Sequence, residues 1–143
     1  MSVALACDFR LAAEHATFRL PGANYGLVVA ATMLTSAVGP GMAKELILTA
    51  RVFDAREALA IGLVNHVVPP AELEPLALEY GRLIAGNSPL AVCHSKRIIN
   101  VAAISVAAQQ EEAKANRLLR GGDDHTTRFN LAADRVLKSG SGA

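Results

Sequence analysis

Period-two alternation, the mark of a half-buried strand, is confined to a short part of this chain, and that confinement limits the fold more than any other feature. Asp8 to Ala13 alternates polar and apolar residues, Ala16 to Leu20 repeats the pattern, and Glu14-His15 reads as a turn between them. A further β-like run, Val64 to Val68, is ended by Pro69-Pro70. Two short strands do not make an independently stable sheet. The N-terminal pair must therefore find partners outside this chain or be covered by helices.

Most of the remaining sequence is helical in pattern. Met1 to Cys7 is apolar from its first residue, without a cap, and reads as the end of a helix whose beginning is missing. Pro21 to Asn24 is a loop. Thr32 to Val38 predicts a short helix ending at Gly39, and Gly41 to Ala50 a second. Asp54 with Glu57 three residues on forms an acidic variant of the capping box, and the helix it opens stops at Gly62. Leu73, Leu76, Ala77, Tyr80, Leu83 and Ile84 fall at helical spacing up to Gly86-Asn87. Ser88 caps the next helix with Pro89 at its first position, where a missing N–H costs nothing. Ser105 to Arg120 is a helix with a polar face, and Asp124 caps a last amphipathic helix to Lys138, followed by a flexible tail, residues 139–143.

Composition closes several routes. With 143 residues and 52% hydrophobic content the chain can bury one modest core, but aromatics are only 4% and Trp is absent. The core must then be built from Ala, Leu, Val and Ile, which suits closely packed helices. A net charge of +1, with cations spread thinly among acids, gives no basic stripe for nucleic acid. No stretch reaches the roughly 18 apolar residues of a membrane span, and no basic segment precedes a cleavage site, so a cytoplasmic protein is expected. Cys7 and Cys93 lack metal or redox spacing and sit in apolar runs, predicting reduced, buried thiols. The four histidines are too scattered for a metal site, and no metal is expected.

Five segments in order carry a resemblance. Ala4 to Ala12 reads ALACDFRLA; Ala16-Thr17-Phe18 is followed by Pro21 and Gly26-Leu27; Lys44 to Thr49 reads KELILT; Ala55 to Val68 reads AREALAIGLVNHVV; and Ser88-Pro89 leads to Lys96. Together these resemble the crotonase superfamily, the enoyl-CoA hydratase/isomerase family, over its C-terminal half. The resemblance implies an α/β, crotonase-like (ClpP/crotonase) fold. This chain would hold a partial ββα spiral core over residues 1–70 and a helical trimerisation region over residues 71–138. It further implies an acyl-CoA thioester as substrate, no separate cofactor, and a homo-oligomer, trimer or hexamer. The family's oxyanion-hole donors, which stabilise an enolate-like transition state, are expected upstream of Met1.

The family's hydratases activate water with two glutamates. By the resemblance, the first position falls at Ser2 and the second at Gly22, and neither side chain titrates near neutrality. Removing one such group costs a factor of about 10²–10⁴ in rate. An inactive, truncated crotonase is the expectation, with a non-enzymatic oligomerisation module, or one half of a two-chain enzyme, as the alternatives. Asn24 and Tyr25 occupy the loop of the second glutamate; a Tyr25 hydroxyl there can donate a proton to an enolate, or its ring can simply pack on a helix. Gly26 to Gly39 is shorter than the family segment and lacks its GGTQR run. Arg135, with Lys138 as fallback, falls near the position where the family's last helix offers a cation to a CoA phosphate. Asp8 is expected to bond local backbone N–H groups, and Glu111 and Glu112 to be solvated surface.

Overall fold

A computed structural model describes residues 2–140, and the side chains of residues 3–135 among them. The element order is α1 (Ser2–Leu5), β1 (Leu11–Ala13), β2 (Thr17–Phe18), a 3-10 turn (Ala23–Tyr25), α2 (Ala31–Thr49), β3 (Phe53–Asp54), α3 (Ala55–Ala60), β4 (His66–Val68), a 3-10 turn (Pro70–Glu72), α4 (Leu73–Ala85), α5 (Pro89–Ala103), α6 (Val106–Leu119) and α7 (Asp123–Gly140).

The strands find partners within the chain, correcting the expectation that they would need outside partners or a helical cover. β1 pairs in parallel with β4, matching Leu11 to His66 and Ala13 to Val68. Asn65 extends this ladder: its N–H donates to the Arg10 carbonyl and its Oδ1 accepts from Arg10 N–H, both at 2.8 Å. β2 pairs antiparallel with β3, and the stacked rings of Phe18 and Phe53 lie 5.5 Å apart. Both strands are shorter than the alternation suggests. The period-two pattern marks exposure, but only residues with a backbone partner join a ladder.

α2 runs through the expected stop. Gly39 sits at φ 77° and ψ 164°, outside helical values, and Pro40 follows, so the two expected helices meet at a kink. α3 begins as its sequence predicts. The Asp54 side chain accepts the Glu57 N–H at 2.8 Å, and the chain turns out at Gly62 with φ 74°. Ser88 and Ser105 cap α5 and α6 through the N–H groups of Ala91 and Ala108. α7 continues to Gly140, past Lys138, so the first part of the expected tail is helical; residues 141–143 lie outside the described residues.

Burial is uneven. Among the described residues every buried core residue lies between Leu5 and Val64, and Leu34, Leu46 and Leu63 are the largest that are fully enclosed. Each such leucine contributes about 1.5–3 kcal/mol. None of the residues described as buried lies in α4–α7, although Leu90, Val101 and Leu118 are each 75% or more exposed. These helices touch the body through polar and aromatic clasps: the Tyr80 hydroxyl bonds His66 Nε2, and the Tyr80 ring lies 5.1 Å from Phe9. Among the described residues no single helix is long and apolar enough to cross a membrane; α5 and α6 match a span only as a pair bent by 65°.

Candidate functional site

The loop after β2 folds back on itself. Leu27 and Tyr25 N–H groups both donate to the Gly22 carbonyl, at 2.9 and 3.0 Å, and Gly26 closes the 3-10 turn at φ 67°. Glycine at position 26 has two causes. An L side chain resists that dihedral, and a Cβ there would lie 2.9 Å from Asp124 Oδ2 and 3.1 Å from His125 Cα. The bare backbone thus lets the first turn of α7 settle onto the loop. His125 fastens it: Nδ1 lies 2.6 Å from the Tyr25 carbonyl oxygen, which can only accept, so Nδ1 carries the proton. Phe129, one turn on, meets the Tyr25 ring edge-on at 6.4 Å.

Between this loop and α7 lies a pocket of about 410 Å³ lined by Arg19, Asn24, Tyr25, Arg128, Leu131, Ala132 and Arg135. Three guanidinium groups therefore border one concavity. Arg19 Nε donates to the Ala50 carbonyl at 2.8 Å, which leaves its other N–H groups for a ligand. Arg128 pairs with Asp124 at 2.7 Å, a bond between successive turns that aligns the guanidinium along α7. With Asp124 as the one carboxylate bonded to this rim among the described residues, the pocket favours an anion carrying more than one charge. Asn24, Tyr25 and Arg135 are thus brought together. Lys138 has its side chain outside the described residues, as does Ser2.

Gly22 lies beside this loop with ordinary helical dihedrals, φ −50° and ψ −50°, so it is not there for backbone freedom. Space is the reason: a Cβ would stand 3.0 Å from the Leu27 carbonyl and 3.5 Å from Val29.

Several expectations need correction. Cys7 and Cys93 are exposed, not buried, because α5 lies on the surface of the body and the segment after α1 is open. Asp8 does not bond local backbone; it accepts from Lys96 Nζ at 2.7 Å. Its hydrogen bond, then its charge, holds the Lys96 pKa above the ordinary lysine value. Glu111 is exposed, but Glu112 is half-buried and accepts from Ala31 N–H at 3.2 Å, Thr32 N–H at 2.8 Å and the Thr32 hydroxyl at 2.7 Å. It caps α2 from a distant helix. The sequence did hold a signal: α2 starts after Ala30, which offers no side-chain acceptor, so its first N–H groups had to find one elsewhere. A second concavity of about 540 Å³ opens beside Glu112, between α2 and α6. Arg19, Arg128 and His125 were not legible as site residues, since nothing local in the sequence places α7 against the loop at residues 22–26. Among the described residues no three His, Cys, Asp or Glu side chains converge as a metal site would require.

Comparison with known proteins gives a consistent picture. The family model for enoyl-CoA hydratase/isomerase matches residues 1–128. The chain is 45% identical over 101 residues to a short-chain-enoyl-CoA hydratase of Clostridium acetobutylicum, covering 68% of this chain and 39% of that protein. It is 44% identical over 101 residues to a crotonyl-CoA hydratase of Syntrophomonas wolfei, again 68% of this chain and 39% of the other. Among solved structures, an enoyl-CoA hydratase from Mycobacterium avium subsp. paratuberculosis superposes with a TM-score of 0.86 at 30% identity, over 93% of this chain and 57% of that one. An enoyl-CoA hydratase/isomerase from Pseudoalteromonas atlantica gives 0.83 at 31%, over 94% and 56%. The chain matches well under half the length of these curated relatives and rather more than half of these solved structures.

Proposed function

Since this chain belongs to the enoyl-CoA hydratase/isomerase family, we propose that it binds an acyl-CoA through the cationic pocket between the loop at residues 22–26 and α7, and that it does not hydrate an enoyl-CoA by itself. The convergence of Arg19, Arg128 and Arg135 on one pocket carries the first part. Coenzyme A presents a phosphate monoester and a diphosphate, and guanidinium forks match phosphate oxygens in pairs. Arg135, exposed on α7, reaches the phosphate, and Lys138 stands one turn further on. No cofactor beyond the CoA ester itself is involved, and a cytoplasmic setting belongs to the same proposal.

The second part rests on side-chain chemistry. Ser2 and Gly22 occupy the positions where the family resemblance expects the two glutamates, and neither side chain ionises near neutrality to act as general acid or base. Tyr25 borders the pocket, but its ring is engaged with Phe129.

Calorimetric titration of the chain with CoA and with dephospho-CoA tests the binding. A charge-assisted hydrogen bond of about 1.5–3 kcal/mol corresponds to roughly 10–100-fold in affinity. Arg135→Ala should therefore weaken CoA by that factor and leave dephospho-CoA little changed. Equal affinities for both ligands and both proteins would refute the assignment.

A second reading has its own support. None of the residues described as buried lies in α4–α7, while Leu90, Ile98, Ile99 and Leu118 stand open. This favours a helical oligomerisation module, or one half of a two-chain enzyme, with other chains covering those faces. Light scattering at micromolar concentration separates it, since a stable monomer has no such cover.

A further inference from the structure

We infer that α7 docking and polyanion binding are one coupled equilibrium, in which a diphosphate bridges Arg19 on the body to the arginines of α7. The coupling rests on the acyl-CoA binding already proposed, and concerns how that binding is regulated. The pocket has two walls of different origin. Arg19 belongs to the body, directly after β2, and its Nε is held by the Ala50 carbonyl at 2.8 Å. Arg128, Leu131, Ala132 and Arg135 all come from α7. The site is therefore incomplete unless α7 lies against the loop at residues 22–26.

That docking is lightly held. None of the residues described as buried lies on α7, and Phe129 is 55% exposed. Among the described residues, His125 Nδ1 to the Tyr25 carbonyl is the one hydrogen bond from α7 to the body. The edge-on contact of Phe129 with Tyr25 stands beside it.

Charge works against it. Docking gathers guanidiniums from both walls around one pocket, and Asp124, bonded to Arg128 at 2.7 Å, offsets only one of them. Like charges brought together oppose the closed arrangement. A polyanion between the walls reverses the sign, because its oxygens attract cations on both sides. A small monoanion that satisfies one guanidinium leaves the other wall unanswered, so the ligand class is a diphosphate or longer. Linkage makes the effect mutual: a ligand that binds the docked form more tightly stabilises it, and whatever loosens docking weakens binding. Phe129 and His125 are consequently positioning residues for the anion, although neither lines the pocket.

Hydrogen exchange of the α7 amides in the full chain tests this, with sodium pyrophosphate as probe and sodium chloride of equal ionic strength as control. Pyrophosphate should slow exchange several-fold beyond the chloride control. Arg19→Gln, which keeps a donor for the Ala50 carbonyl, should act with opposite signs. In the free protein α7 exchange becomes slower, because repulsion is relieved, and pyrophosphate then slows it no further. An Arg19 that only braces the body would give faster exchange in both states. Phe129→Leu should weaken pyrophosphate and CoA alike in calorimetry, by up to the roughly 2–10-fold that an aromatic pair is worth. Phe129→Tyr, which keeps the ring, should restore both. Saturable CoA binding with α7 exchange unchanged, or faster free-state exchange in Arg19→Gln, would overturn the coupling and leave CoA binding standing. Failure of CoA itself to bind would overturn the proposed binding, and the coupling falls with it.

Discussion

Removing Glu112 should unfasten α2 and α6 together. The carboxylate accepts three hydrogen bonds, from Ala31 N–H, Thr32 N–H and the Thr32 hydroxyl, at 2.7–3.2 Å. Hydrogen bonds to a charged group are worth about 1.5–3 kcal/mol each when buried, and a carboxylate at a helix N-terminus adds roughly 0.3–1 kcal/mol. These do not sum. Glu112 is only half-buried and borders an open concavity, so water replaces part of what the side chain supplies. For Glu112→Ala the expected loss is about 2–3 kcal/mol. Glu112→Gln keeps an acceptor but loses the charge, and about 1 kcal/mol is expected. Urea unfolding followed by circular dichroism measures both. A double-mutant cycle with Thr32→Val separates the cap from lost packing: a coupling energy of about 1 kcal/mol is expected if the hydroxyl bond is real. Glu112→Ala within about 0.5 kcal/mol of the parent, the range of an ordinary surface change, would refute the reasoning.

Two further outcomes follow from the same structure. Gly26→Ala introduces a Cβ at φ 67° and 2.9 Å from Asp124 Oδ2, so it should cost about 1–2 kcal/mol and release the first turn of α7; hydrogen exchange should rise at residues 123–129, and unchanged protection there would contradict the role given to this glycine. Arg51 donates to Glu57, and that hydrogen bond holds the Glu57 carboxyl below its usual range. A depressed carboxyl pKa stabilises the fold above the unfolded value, about 4.3 for glutamate, and the contribution is lost as pH falls through the folded value. The stability gap between the parent and Glu57→Gln should accordingly be full at neutral pH, close on acidification below that value and shrink with salt; a gap constant with pH would count against the pairing.

Local grammar was the legible part of this fold. Asp54, Ser88 and Ser105 cap the helices their spacing announces, because a cap is satisfied within three residues of itself. Gly39 and Gly62 break the chain where their dihedrals demand. Strand pairing was not readable: β1 lies against β4 more than fifty positions away, and nothing in an alternating run of three residues says which distant run will supply its ladder. The site shows the same division. Asn24, Tyr25 and Arg135 were identifiable from motif position, yet their meeting depends on α7 closing over the loop at residues 22–26, which Gly26 allows by having no side chain.

Glu112 shows why polar pattern alone misleads. Its helix face reads as solvated, with Gln109, Gln110 and Glu111 around it. The deciding fact lies some eighty positions earlier, where Ala30 leaves the start of α2 without an acceptor. An uncapped helix end and a glutamate on another helix are each unremarked in isolation; together they define a contact. The same logic applies to α4–α7, whose apolar rows stand open in the monomer. Amphipathic spacing fixes which face of a helix seeks cover, and says nothing about whether that cover comes from the same chain. Here the body beneath these helices is closed by residues up to Val64, so their remaining apolar faces have no further core to join within this chain's described residues.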